Sequence, residues 1–215
     1  MTMTLVDKVA SKVGSQISAN SQPSTTQVVE WLNEAYDYLR RHMPYEYFPQ
    51  SQKTASSASE YVTIPTDYIK LIDVVHLSSG VEYPANMMSV QEYMDIKSGR
   101  NTYMQATSTY PISTQYAGRF YVLAGTNAAS TASSKIYYIS ASGTTIDSNA
   151  TSASENPVID KLMIDYAVAQ YSYSDEELQQ WQGKVSEYGA TEDVIKGSSQ
   201  IRSKRPTKDE RVALK

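Results

Sequence analysis

The stretch EYVTIPTDYIKLIDVVHLSSGVEY, from Glu60 to Tyr83, decides how the rest of the chain is read. Tyr61 to Ile64 alternates as a strand does, and Pro65, with no amide to donate, ends its pairing. Lys70 to Leu77 reads as a second strand, Ser79-Gly80 as a tight turn and Val81 to Tyr83 as the return. Nothing in this hairpin is arranged for chemistry.

Towards the amino terminus, QSQKTASSASE (50–60) reads as a polar loop. Before it lies a helix: Ser24 with Gln27 forms a capping box, and Val28, Leu32, Ala35, Tyr36, Leu39 and Met43 share one face until Pro44 stops it. Leu5, Val9, Val13 and Ile17 also recur every four residues. That short amphipathic helix contains Gly14 and is expected to order only against a partner.

Towards the carboxy terminus, Ser89 with Glu92 caps a short helix carrying Val90, Tyr93 and Met94. STQYA and RFYVLAG (113–125) read as a second hairpin and KIYYIS (135–140) as a further strand. The Ala/Ser/Thr-rich pieces at 126–134 and 141–154 read as loops. Asn156-Pro157 opens a helix with Val158, Ile159, Leu162, Met163, Tyr166 and Ala167 on a broad apolar face. Ser174 with Glu177 opens another, with Leu178, Trp181, Val185 and Tyr188 on its buried side and Gly189 as a kink or an end.

The expected fold class is α+β: an α-helical bundle, made of a long N-terminal helix and a C-terminal helical hairpin, with a β-rich insertion and extended termini. The expected segments are an N-terminal arm (1–22), the first bundle helix (23–43), the β-rich insertion (44–155), the helical hairpin (156–197) and a basic C-terminal arm (198–215). A lone first helix cannot bury its stripe, so it should pack on the last two.

The 215-residue chain is 40% hydrophobic and 20% charged, an ordinary globular composition that excludes wholesale disorder. It has no Cys, which removes disulfides, thiolate catalysis and Cys-ligated zinc. The amino terminus lacks the apolar run of a secretory signal, and no segment reaches the roughly 18 apolar residues of a membrane span, so a soluble protein is expected. Eighteen Tyr stand against two Phe and two Trp. Tyr suits half-dry subunit contacts, and it also substitutes for Phe in a sheet core. The net charge of −4 divides into +5 for residues 196–215 and −9 for the remainder. A basic tail on an acidic body reads as an arm that docks on something negative, or as a solvated terminus.

Chemistry is harder to find. His42 and His76 have no H-x-x-x-H partner, the glycines form no phosphate loop, and no Ser/His/Asp set is present. Asp160 and Asp165, or Asp175, Glu176 and Glu177, are conceivable as an acid/base pair; the simpler reading places the last three at a helix amino terminus and the first two in solvent. No catalytic residue, cofactor or metal is therefore expected. The acidic body also argues against direct reading of bases.

The order of elements supplies a resemblance. VVEWLNEAYDYLRRHMP, then IPTDYIKLIDVVHL, SVQEYMDIK, RFYVLAG, KIYYIS and NPVIDKLMIDYAVAQY are similar, in sequence, to the head-to-tail adaptor (connector) proteins of tailed bacteriophages, over about residues 24–190. The long Ser/Ala/Thr-rich loops depart from that pattern. The resemblance implies a structural virion protein, not an enzyme, that forms a ring of twelve subunits in the neck between capsid and tail. It also implies portal and tail or nozzle proteins as partners, with genomic DNA passing without sequence recognition and no membrane. On that reading Arg202, Lys204, Arg205, Lys208 and Arg211 dock on the portal, and Tyr61, Tyr68, Tyr83, Tyr121 and Tyr137 make subunit or tail contacts. The rival readings are a phage-associated cell-wall hydrolase using carboxylates, a nucleic-acid-binding module, and another ring component of the neck or tail.

Overall fold

The computed structural model describes residues 3–101, 104–125, 133–142, 145–153 and 155–202, with side chains through residue 189. Among them are five α-helices: α1 (Leu5–Val13), α2 (Thr25–His42), α3 (Val90–Lys97), α4 (Pro157–Ser172) and α5 (Asp175–Arg202). The strands are β1 (Gln52–Ser57), β2 (Tyr61–Thr63), β3 (Tyr68–Ser78), β4 (Val81–Pro84), β5 (Asn86–Met87), β6 (Ile112–Tyr116), β7 (Arg119–Leu123) and β8 (Ser133–Ser140). The strands form two four-stranded sheets, ordered β1-β8-β3-β4 and β2-β7-β6-β5.

The fold is thus mixed α and β, which corrects the expected class. A helical bundle led by a long N-terminal helix is not the framework. The helix expected at 23–43 is present as α2 but is preceded by the nine-residue α1, and the eight strands form two sheets that enclose a core of their own. Two compact units result, Met1–Tyr47 with Ile146–Lys215, and Phe48–Thr145.

In the first unit α1 replaces the expected extended arm. Thr4 and Asp7 cap it reciprocally, each side chain accepting from the other's amide at 3.1 Å, and Gly14 ends it at φ 66°. Leu5, Val6 and Val9 are buried as α1 packs on α4. Lys12 bonds Asp165 at 2.5 Å, and Tyr171 donates to the Ser15 hydroxyl at 3.0 Å. The stripe needed no external partner; its partner lies some 150 residues further along the chain.

The Ser24 hydroxyl accepts the Gln27 amide at 3.3 Å, one half of the expected box, and α2 buries Val28, Leu32, Ala35, Tyr36 and Leu39. Asn33 then clamps the returning chain, its amide group exchanging bonds of 2.9 and 3.0 Å with the Ile146 backbone. Trp181 of α5 lies between Tyr38 (5.1 Å) and Tyr166 (4.8 Å) and donates its indole N–H to the Leu162 carbonyl at 2.8 Å. α5 runs straight through Gly189. A β-carbon there would meet the His42 carbonyl oxygen at 3.1 Å, so the glycine permits close approach of two helices rather than a break.

In the second unit Val62, Phe120 and Val122 of one sheet face Val74, Ile136 and Tyr138 of the other, with Ala55, Tyr68 and Leu71 completing the layer. α3, with a full Ser89/Glu92 capping box, covers the far side of β6 and β7 through Tyr93 and Ile96 against Ile112 and Leu123. The decisive strand, β3, is not a simple alternator. Its pairing with β8 shifts register between Tyr68 and Lys70 and again between Leu71 and Asp73. Each bulge inserts one residue, so Tyr68, Leu71 and Val74, three apart, all reach the same core. β1 lies where a polar loop is expected. Its side chains are mostly exposed, and six residues in register with β8 hold it through the backbone.

Candidate interaction surface

The five tyrosines expected at contacts are all half-buried on strands. Tyr61 and Tyr121 oppose one another on β2 and β7 with ring centroids 5.6 Å apart, and the Arg119 guanidinium lies 4.3 Å from the Tyr61 ring centre. Tyr68 packs into the sheet core, stacked on Tyr138 at 6.0 Å and tilted against Phe120 at 5.9 Å. Tyr83 opposes His76 across β3 and β4. Tyr137 donates to Glu82 at 2.6 Å and accepts from Lys135 at 2.7 Å, while Lys135 pairs with Glu82 at 2.8 Å. The structure brings Tyr61 and Tyr121 together, while Tyr68 and Tyr137 are each held by neighbours of their own.

These groups set local electrostatics. The Lys135 ammonium, with the Tyr137 hydroxyl, holds the Glu82 carboxyl below its ordinary value. Asp73, opposite Tyr137 on β8, is pushed up by burial, with a smaller push from Glu82. Asp67 follows the Pro65 turn and accepts from Ser140 at 2.6 Å, from Ser142, and from Tyr138 at 3.1 Å. The Ser140 and Ser142 hydroxyls hold its carboxyl well below the usual range, against an opposing effect of burial. His76 is buried; among the described residues its Nδ1 has no hydrogen-bond partner, and burial pushes its pKa down.

Of the carboxylates considered for acid/base work, Asp160, Asp165 and Glu177 bond within the fold, and Asp175 and Glu176 lie in the first turn of α5. Asp160 accepts the Ala153 amide at 2.8 Å, Asp165 pairs with Lys12, and Glu177 accepts from the Ser172 hydroxyl at 2.5 Å. Among the described residues no group of three or more His, Asp or Glu is placed to hold a metal ion. Nor is any described helix long and apolar enough to cross a membrane. Of the arm residues, Arg202 ends α5, and Lys204, Arg205, Lys208 and Arg211 lie outside the described residues.

Large apolar side chains are most exposed elsewhere. Met87 ends β5, Met94 lies on α3, Met104 and Tyr110 fall between α3 and β6, Tyr116 ends β6 at the β6–β7 turn, and Tyr173 lies between α4 and α5. Sequence reading passed over all six as surface contacts. Tyr173 alone carried a signal: a bulky residue where a helix end ordinarily places glycine.

The described residues thus form a two-sheet unit and a helical unit that carry several exposed aromatic and sulfur side chains. The chain matches the SU10 adaptor protein family over residues 3–205 and belongs to that family. It is a phage adaptor, a structural component of the virion. Comparison with curated proteins gave no match.

Proposed function

We propose that this adaptor forms a ring that joins the capsid portal to the tail and extends the DNA channel. The family match over residues 3–205 carries the reading, and the charge distribution supports it. A body of net charge −9 repels DNA phosphates and lets a duplex slide, while the +5 of residues 196–215 suits an arm that meets an acidic partner. A ring subunit needs lateral contact faces and no catalytic group. The ring is expected to contain twelve copies. The arm residues Arg202, Lys204, Arg205, Lys208 and Arg211 dock on the portal, and the half-buried strand tyrosines contribute to contacts between subunits or with the tail.

The test is removal of residues 203–215, which leaves every described helix and strand in place. The truncated protein should melt as the full chain does yet fail to decorate purified portal rings in electron micrographs. Normal decoration by the truncated protein rules out Lys204, Arg205, Lys208 and Arg211 as the portal contact.

A further inference from the structure

We propose that the outer edge of β1 binds a second copy of this chain, β1 against β1 about a two-fold axis, which joins two β1-β8-β3-β4 sheets edge to edge. The direction of the backbone groups carries the inference. The Ser140 amide donates to the Ser51 carbonyl at 2.9 Å, in the register of the β1–β8 ladder. Opposed residues of an antiparallel pair alternate between bonded and non-bonded. Lys53, Ala55 and Ser57 therefore turn their N–H and C=O groups to β8, and Thr54 and Ser56 turn theirs outward. Both are exposed, and among the described residues β8 is the strand that pairs with β1 and no further backbone bond reaches either residue.

The other sheet edges are closed, each by its own device. The Ile64 amide bonds the Gly118 carbonyl, which turns Tyr61 of β2 outward; there the Tyr61 amide donates to the Ser59 hydroxyl, which in turn donates to the Tyr61 carbonyl at 2.8 Å. The Ala85 amide bonds the Val74 carbonyl, which turns Glu82 and Pro84 of β4 outward, a charged residue and one with no amide to give. β5 has two residues. β1 has six, with no proline and with small side chains from Thr54 to Ser57. An edge of that length left without such a guard takes up another strand.

The strand that fits is β1 itself. A two-fold axis through Ala55 sets Thr54 opposite Ser56 of the second copy, and Ser56 opposite its Thr54, so outward N–H groups meet outward C=O groups. Lys53 falls opposite Ser57, and no like charges oppose one another. Ala55, half-buried at the rim of the core between the sheets, meets its own counterpart. Such a contact closes on itself and joins two copies, whereas a ring uses head-to-tail contacts, so the pairing stands apart from the ring reading above. It covers the edge that the fold leaves open.

Sedimentation velocity of the full chain over about 1–200 µM tests it. The wild type should pass from monomer to dimer across that range. Thr54→Pro with Ser56→Pro removes two outward amides and no bond to β8, so it should melt within a few degrees of the wild type and lower the dimer fraction at least about tenfold. Thr54→Lys with Ser56→Lys opposes like charges without altering the backbone and should have the same effect. Ala55→Cys reads the register, since the chain has no other Cys. Opposed residues of a non-bonded pair lie about 4.5 Å apart between α-carbons, within reach of a disulfide. Mild oxidation should give a covalent dimer of this variant, and adding Ser56→Pro should abolish it. A wild type that stays monomeric throughout overturns the pairing, as does a dimer that the Lys variant leaves intact or a covalent dimer that persists with Ser56→Pro.

Discussion

Asp67 shows how one carboxylate ties two distant pieces of chain. It follows the turn that ends β2, and its partners Tyr138, Ser140 and Ser142 come from the end of β8, more than seventy residues on. Hydrogen bonds to a charged group contribute about 2 kcal/mol, so Asp67→Ala should lower the melting temperature by about 6 °C at pH 7. Because folding depresses this carboxyl's pKa, its stabilisation is present above the usual carboxylate range, about pH 4, and is lost as pH falls below it. The variant and the wild type should therefore converge at the most acid pH values where both still fold. His76 acts in a separate window. Its folded pKa lies below the ordinary 6.5, so the unfolded chain binds the extra proton first and stability falls as pH drops through that value. Thermal melts at pH 7 and pH 5 should show a smaller loss for His76→Phe than for the wild type. Equal losses would mean that some other group carries the dependence. The sequence showed both residues without their surroundings, and those surroundings decide both shifts: hydroxyl partners for Asp67, burial for His76.

Among the elements, α5 offers a comparison of two glycines on one helix. A β-carbon at Gly183 meets nothing within 4 Å, whereas one at Gly189 meets the His42 carbonyl oxygen at 3.1 Å. Gly183→Ala should stabilise by up to about 1 kcal/mol, through helix propensity alone. Gly189→Ala should gain less or destabilise, and Gly189→Leu should lose several degrees in a thermal melt. Equal gains at both sites would show that α2 and α5 are not in contact there. Helix starts were legible because a cap is a local event: Ser24, Ser89 and Asn156 each bond an amide two or three residues on. β1 was not. Its polar side chains carry no alternating pattern, and its six paired residues depend on β8 being present. The bulges in β3 escaped for a similar reason, since an apolar run does not reveal which residues its neighbour will skip.

At the scale of the molecule, the basic arm and the acidic body separate charge along the chain, and contact through the arm should be salt-sensitive. Portal decoration by the full chain should weaken between about 0.05 and 0.5 M salt, as screening shortens the reach of these charges. Decoration that ignores salt would place the contact on an apolar surface instead. The adaptor family was readable from the order of elements along the chain, and most helices and hairpins from local pattern. The fold class was not. Periodicity identifies a stripe that must be covered but not what covers it. Sequence alone determined that α1 is amphipathic, that β3 and β4 form a hairpin, and that no thiol chemistry is available. Only the tertiary structure decided that α1 lies on α4 and that the strands enclose a core between two sheets. Each of those outcomes rests on contacts between residues far apart in the chain, and the free energy of such contacts is set by packing that no local window contains.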